Sequence, residues 1–296
     1  MVNKSIFREY DIRGIVGEDL NEKSVKLIGY NLGLEVLSKV DVQQPIVVIG
    51  YDARTHSPEL FEYLTSGFNK AGCIVFGMGM VATGVNYFAS FQEFNNKKPN
   101  ASVMITGSHN PSPYNGFKIT INNLPFFGDD IYAMGDKIIK NHDLTIENNT
   151  QYEEIDVKSL YIDYMVKEFS HLKNMPERFV IDCGNGVADT VLTEILDLLE
   201  LNYEGMYCQP DGSFPNHHPD PSDPKNLQAL QAAVVEQKAD LGIAVDGDGD
   251  RIGVVTNAGK IIWPDRLLML FAKDVVSRNP GADIIYDVKC SRRLNG

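Results

Sequence analysis

Short apolar runs alternate with longer stretches that carry apolar residues on one face, and this alternation covers most of the chain. Pro45-Ile46-Val47-Val48-Ile49-Gly50 is a β-branched run of the kind that forms a parallel strand buried on both sides. The helix predicted after it has Ser57 as N-cap and Pro58 at its first position. Leu60, Leu64 and Phe68 share one face before Gly72 closes it. Cys73 to Phe76 then reads as a strand, Thr83 to Phe94 as a helix, Ala101 to Ile105 as a strand and Asp129 to Lys140 as a helix, a β-α-β-α-β order.

The alternation restarts after the polar stretch His142 to Gln151. It predicts helix Tyr161 to Phe169, strand Phe179 to Asp182, helix Val187 to Leu199, helix Leu227 to Lys238 and strand Leu241 to Val245. A third unit starts near Thr256, with helix Pro264 to Ser277 and strand Ile284 to Val288, before the sequence ends at Gly296. One strand with one helix cannot bury both its faces. The expected fold is therefore α/β: successive three-layer α/β/α domains with mixed, mostly parallel sheets, complete over 1–150 and 151–255 and incomplete over 256–296. Asp52, Asp182 and Asp287 each end a Val/Ile-rich strand.

With 296 residues, 43% of them hydrophobic, the chain can bury about two cores. A net charge of -13 repels nucleic acid and anionic membrane, which excludes both as partners. No run approaches the ~20 apolar residues of a membrane span. Lys4, Arg8 and Glu9 interrupt the first ten residues, so no secretory leader is expected and a cytoplasmic location is predicted. Cys73, Cys183, Cys208 and Cys290 are scattered, with no zinc-finger spacing, and read as reduced thiols. In so acidic a chain the cations that can meet an anionic ligand are few: Arg8, Arg13, Lys118, Arg251, Lys289, Arg292 and Arg293 stand near the motifs.

Two motifs carry chemistry. Thr106-Gly107-Ser108-His109-Asn110-Pro111 follows a predicted strand, which puts Ser108 at the carboxyl end where open α/β sheets bind ligands. Gly107 lets the backbone approach a phosphate closely. Alone, the loop also reads as a polar turn. His109 either orients Ser108 or satisfies the loop. A hydrolase elbow is absent. Asp246-Gly247-Asp248-Gly249-Asp250-Arg251 places three carboxylates within five residues, and the glycines let a tight turn point them at one place, as Mg²⁺ requires. An EF-hand would need glycine where Arg251 stands and glutamate where Asn257 stands. Asp250 occupies the position where a phosphatase with an aspartate nucleophile carries threonine or valine. Arg251 can hold a phosphate that bridges to the metal. Together the two motifs describe phosphoryl transfer on a serine.

With both motifs in place, the chain resembles the α-D-phosphohexomutases, in the branch acting on mannose and glucose phosphates. The matching segments are Phe7-Arg8-Glu9-Tyr10-Asp11-Ile12-Arg13-Gly14, the serine loop with Asn115-Gly116-Phe117-Lys118, Asp182-Cys183-Gly184-Asn185-Gly186, the Asp246 to Arg251 loop, and Asp287-Val288-Lys289-Cys290-Ser291-Arg292-Arg293-Leu294. The resemblance implies that Ser108 is carried as phosphoserine and holds Mg²⁺ together with Asp246, Asp248 and Asp250. It implies an intramolecular phosphotransferase: Ser108 passes its phosphoryl group to a hexose phosphate, the bisphosphate turns over, and the other phosphate returns. Lys118 and His109 would move protons, Arg251 would face the phosphoserine, Tyr10 and Arg13 would face the cleft, and Lys289 would meet the phosphosugar. A monomer is expected. Family members have four domains, with a sugar-recognition loop in the third and a phosphate loop in the fourth, and this sequence ends before both. The expectation is thus an N-terminal portion with little turnover. Mannose and glucose remain open against glucosamine phosphate, and a module that binds Mg²⁺ and phosphosugar without turnover is the reading from another class.

Overall fold

The computed structural model describes residues 2–295. The chain opens with β1 (Ile12–Ile15), α1 (Glu22–Lys39), β2 (Ile46–Tyr51), α2 (Ser57–Ala71), β3 (Ile74–Met80), α3 (Thr83–Ala89), β4 (Ala101–Ile105), β5 (Tyr114–Ile121), β6 (Leu124–Pro125), α4 (Asp129–Lys140) and β7 (Glu153–Glu154). It continues through α5 (Lys158–Glu168), β8 (Arg178–Asp182), α6 (Leu192–Leu198), β9 (Asn202–Met206), α7 (Gln228–Glu236), β10 (Leu241–Val245), β11 (Ile252–Thr256), β12 (Ile261–Ile262) and α8 (Pro264–Arg278).

These strands build two mixed sheets. The first runs β1-β5-β4-β2-β3-β7, with β6 beside β5. It is parallel from β4 to β7 and antiparallel across β4, β5 and β1. The second runs β12-β11-β10-β8-β9, parallel from β10 to β9 and antiparallel at the β11 and β12 edge. In both, the strand that delivers a site loop, β4 or β10, lies where parallel pairing meets antiparallel pairing.

The β-branched run in β2 is explained by burial on both faces. Val47 and Ile49 join Leu27, Ile28 and Leu32 of α1 and Leu64 and Phe68 of α2 in one apolar cluster, while Val48 joins Phe76, Val85 and Met104 in another. That second cluster continues through Ile162 of α5 to Val187, Ile195 and Leu199 beside the second sheet. One continuous apolar core therefore fixes the two units against each other. The α1–α2 contact is backbone to backbone: a Cβ on Gly67 would lie 2.3 Å from the Lys26 carbonyl oxygen.

Four local expectations are corrected. His56, not Ser57, is the N-cap of α2, because the Ser57 hydroxyl donates instead to Asp52 Oδ1 at 2.7 Å. The helix expected over Thr83 to Phe94 ends at Ala89, and the one expected over Val187 to Leu199 is split into a 3-10 turn and α6 by Val191, whose φ of -138° is not helical. The strand expected at Ile284 to Val288 does not form. Ile285 and Val288 are 93% and 95% exposed, since no neighbouring strand offers backbone partners there. Residues beyond 256 still belong partly to the second sheet, where β12 pairs with β11. After it, α8 buries Leu267 and leaves Leu270 and Phe271 exposed.

The glycine contact yields a paired prediction. Gly67→Ala should cost about 1–3 kcal/mol by forcing α1 and α2 apart. Gly84→Ala, whose Cβ would only touch the Tyr161 hydroxyl at 3.5 Å, should be neutral or stabilising by up to about 1 kcal/mol. Urea midpoints of the two variants compare them directly, and equal midpoints would show that the helices are not in backbone contact.

Candidate active site

The serine loop leaves β4 and is held from beneath by an aspartate and an arginine. Asp52, at the end of β2, accepts the backbone N–H of Gly107 at 2.9 Å and Nε–H of Arg54 at 3.2 Å. The Arg54 guanidinium is fully enclosed and donates to the carbonyls of Ser108 (3.0 Å), Asn110 (2.6 Å), Pro111 (2.7 Å) and Tyr114 (3.0 Å). A planar five-donor group is suited to gathering several carbonyls at once. The glycine at 107 serves this arrangement, since a Cβ there would lie 2.2 Å from the guanidinium. Phe214, from the second unit, covers the guanidinium with its ring centroid 5.2 Å away. So braced, Ser108 adopts φ 49°, a conformation that non-glycine residues rarely take.

The carboxylate loop joins β10 to β11. Asp246 Oδ1 accepts the backbone N–H groups of Asp250 (3.0 Å) and Arg251 (2.9 Å), which curls the loop around it, and Oδ2 accepts the Ser108 hydroxyl at 2.8 Å. Gly247 permits this approach, because a Cβ there would sit 2.7 Å from the Ser108 carbonyl oxygen. Asp248 Oδ2 accepts the Thr83 hydroxyl (2.7 Å) and Lys118 Nζ (2.6 Å), and Asp250 Oδ2 also accepts Lys118 Nζ. Carboxylate oxygens of Asp246, Asp248 and Asp250 lie within 4.8 Å of one another.

That crowding shifts the titrations. Burial, then the charges of Asp248 and Asp250, push the Asp246 carboxyl up to about 7. Burial works the same way on Asp248, but Lys118 and the Thr83 hydroxyl outweigh it and hold that carboxyl below the usual range. Burial alone would lower the Lys118 ammonium; its two carboxylate partners raise it. His109 Nδ1 lies 3.1 Å from Ser108 Oγ, and burial together with Arg251 keeps the imidazole below its ordinary value and so neutral at pH 7.

The donor set suits a hard cation. Besides three carboxylates and the serine oxygen, Asp248 Oδ1 is buried with no hydrogen-bond partner among the described residues, an acceptor that the protein itself leaves unmet. Of the residues expected at the site, Ser108, His109, Lys118, Asp246, Asp248 and Asp250 are brought together. Arg251 lies beside them with its side chain exposed. Tyr10, 78% exposed, lines a cleft of about 440 Å³ with Asp11, Tyr87, Phe91, Lys118 and Asp250. Arg13 is buried and turned inward, donating to Asp11 Oδ2 and to the Thr106 carbonyl, both at 2.7 Å, so it braces the serine loop. Lys289 is not brought to the cluster: its side chain is 87% exposed and its ammonium lies 3.9 Å from Asp287 in its own turn.

Asp52 was visible as an acidic strand end, without a role. Arg54 and Thr83 gave no signal, since the loop carbonyls that Arg54 gathers and the carboxylate that Thr83 meets are 54 or more positions away. Nor did the sequence show that the 208–220 loop spans both units. Gly212 packs against the Ala53 backbone, His217 Nε2 meets Asp182 Oδ2 at 2.9 Å, and the Pro219 carbonyl accepts the Gly247 N–H at 3.2 Å.

The fold and the site thus set a serine hydroxyl against a cluster of three carboxylates between two α/β/α units, a donor set suited to a hard cation and an anionic ligand. Comparison with known proteins agrees. The family models for phosphoglucomutase/phosphomannomutase α/β/α domain I and domain II match residues 4–150 and 159–259. A phosphomannomutase/phosphoglucomutase of Pseudomonas aeruginosa is 48% identical over 290 residues, covering 98% of this chain and 60% of that protein. A phosphoglucomutase of Neisseria meningitidis is 42% identical over 294 residues, covering 99% and 62%. The crystal structure of a Burkholderia thailandensis phosphoglucomutase/phosphomannomutase family protein superimposes with a TM-score of 0.91 at 41% identity, over 99% of this chain and 64% of that one. The chain belongs to the α-D-phosphohexomutase family, and it spans about three-fifths of the length of the curated relatives it matches.

Asp246 gives the site a pH signature. Its folded pKa, about 7, lies above the 3.8 of an exposed aspartate, so the folded state holds the proton more tightly than the unfolded one. The resulting stabilisation is complete below 3.8 and is lost as pH rises through 7. Asp248, shifted the other way, contributes nothing to that window. The metal-free chain should lose melting temperature relative to Asp246→Asn between about pH 5 and pH 8. Stabilisation by added Mg²⁺ should grow over the same interval, because the carboxylate must be free to bind it. Taking the difference from the variant removes the histidine contributions, and a pH-independent difference would contradict the assignment.

Proposed function

We propose that this chain provides the phosphoserine and metal-binding part of a phosphohexomutase interconverting hexose 1-phosphate and hexose 6-phosphate, of mannose or glucose, through a hexose 1,6-bisphosphate. The observation that carries this reading is the Ser108 hydroxyl 2.8 Å from Asp246 inside the carboxylate cluster, on a loop fixed by Arg54. Phospho-Ser108 would donate its phosphoryl group to a free sugar hydroxyl; the bisphosphate would then reverse, and its other phosphate would return to the Ser108 oxygen. A bound Mg²⁺, held by Asp246, Asp248, Asp250 and a Ser108 oxygen, supplies charge neutralisation at the transferring group.

The chain's own residues then have separable tasks. Neutral His109, within hydrogen-bond reach of Ser108 Oγ, can accept a proton there. Lys118 stands between the carboxylates and the cleft lined by Tyr10, where its ammonium can donate to the incoming hydroxyl oxygen or phosphate, and one of its carboxylate partners can take the proton that the hydroxyl loses. Arg251, exposed at the mouth, can pair with phosphate oxygens. Lys289 is assigned no step. A cytoplasmic monomer fits this reading. The Thr-Gly-Ser-His-Asn-Pro form of the loop favours mannose and glucose phosphates over glucosamine phosphate.

Because this chain covers about three-fifths of its relatives, phosphoryl acceptance and full isomerisation are separate questions. Exposure to glucose 1,6-bisphosphate with labelled phosphate should label Ser108, and Ser108→Ala should lower labelling at least ~100-fold. Peptide mass spectrometry locates the label. Labelling elsewhere with Ser108→Ala unaffected would overturn the assignment, whereas labelling without conversion of glucose 1-phosphate to glucose 6-phosphate would favour the non-turning-over module.

A further inference from the structure

Cys183 and Cys208 lie outside the chemistry described above. Cys183 is the first residue after β8 and Cys208 the second after β9, and these strands run parallel with Asp182 opposite Met206. The Cys183 N–H donates to the Met206 carbonyl at 3.0 Å, which draws the two strand ends together. The Sγ atoms are 3.1 Å apart. A disulfide needs about 2.05 Å, so roughly 1 Å of motion separates the dithiol from the bond. Cys183 is buried and Cys208 half-buried, so Cys208 is the member of the pair nearer to solvent. Asp189, on the 3-10 turn Val187–Thr190, brings a carboxylate oxygen within 4.8 Å of both sulfurs, and its Oδ1 is buried without a hydrogen-bond partner among the described residues.

We propose that Cys183 and Cys208 form an oxidisable dithiol that closes to a reversible disulfide when a peroxide reaches Cys208, with Asp189 as the proton acceptor for Cys183. The Cys208 thiolate attacks hydrogen peroxide and the O–O bond breaks, leaving a sulfenic acid on Cys208 and a hydroxide that takes up the Cys208 proton as water. Cys183 then passes its proton to the Asp189 carboxylate while its sulfur attacks Cys208. The S–O bond breaks, and the departing hydroxide recovers that proton as a second water. Two thiols and one peroxide thus give one disulfide and two waters; a dithiol reductant reverses the change.

Electrostatics assign the order of attack. The hydrogen bond from Cys183 is the largest influence on Cys208 and holds its thiol below the ordinary value, whereas the same hydrogen bond and then burial raise Cys183. Cys73, buried far from either, is pushed up to about 12 by burial and serves as an internal control.

The test is peroxide treatment of the whole chain followed by intact mass and non-reducing peptide maps. Wild type should lose about 2 Da and yield a crosslinked Cys183–Cys208 peptide that dithiothreitol abolishes. Cys183→Ser should instead accumulate a sulfenic acid on Cys208 that dimedone traps, and Asp189→Asn should lengthen the life of that intermediate in the otherwise intact dithiol. The wild-type map needs no variant to fold. Oxidation of Cys73 or Cys290 as fast as Cys208, or thiol loss without the crosslinked peptide, would overturn the proposal.

Discussion

The forced proximity of three carboxylates, two of them wholly buried, is the constraint that organises this molecule. Like charges this close in a water-poor site repel strongly. The protein meets that repulsion with Lys118 on two of the groups, backbone and serine donors on Asp246, and partial protonation of Asp246. Lys118, Ser108 and Thr83 come from the first unit and the aspartates from the second. The cluster is therefore stable only while the two units hold their relative position, and the continuous apolar core through α5 and α6 secures that position.

Arg54 is the second element of the same design. Burying a guanidinium is costly, and it is tolerated here because Asp52 and four carbonyls satisfy it. Loss of one partner from such a buried pair typically costs about 3–5 kcal/mol. The return is a serine loop that is already in its working shape, with Ser108 held in a left-handed conformation that the loop alone would not retain. Preorganisation of this kind lets charge develop at the serine oxygen without rearranging the backbone.

Much of this was legible in the sequence because it is encoded locally. Ala101–Ile105, Asp129–Lys140 and Leu241–Val245 have the predicted bounds, since each pairs a clear period with clear boundaries. Ser108 and the three aspartates sit in contiguous motifs whose spacing states their chemistry. The residues that support them do not. Arg54 stands in no motif, Ser57 reads as a cap until Asp52 claims its hydroxyl, and Arg13 reads as a ligand-facing cation until it turns inward to Thr106. β9 (Asn202–Met206) inserts Tyr203 and Met206 three positions apart among Asn202, Glu204 and Gly205, so no period of two appears. Ile284 to Val288 has strand composition but no partner, and hydrogen bonds between strands, not composition, make a sheet.

If the serine loop of one sheet and the carboxylate loop of the other form a single cation and phosphoryl site, a metal in the carboxylate loop lies next to phospho-Ser108. The most direct test is the ³¹P resonance of phosphorylated Ser108 titrated with Mn²⁺, whose unpaired electrons broaden nearby nuclei. That resonance should broaden saturably at one equivalent of Mn²⁺, recover with excess Mg²⁺ and stay sharp in Asp248→Asn. A phosphoserine line that stays sharp while Mn²⁺ occupies the carboxylate loop would contradict the single site.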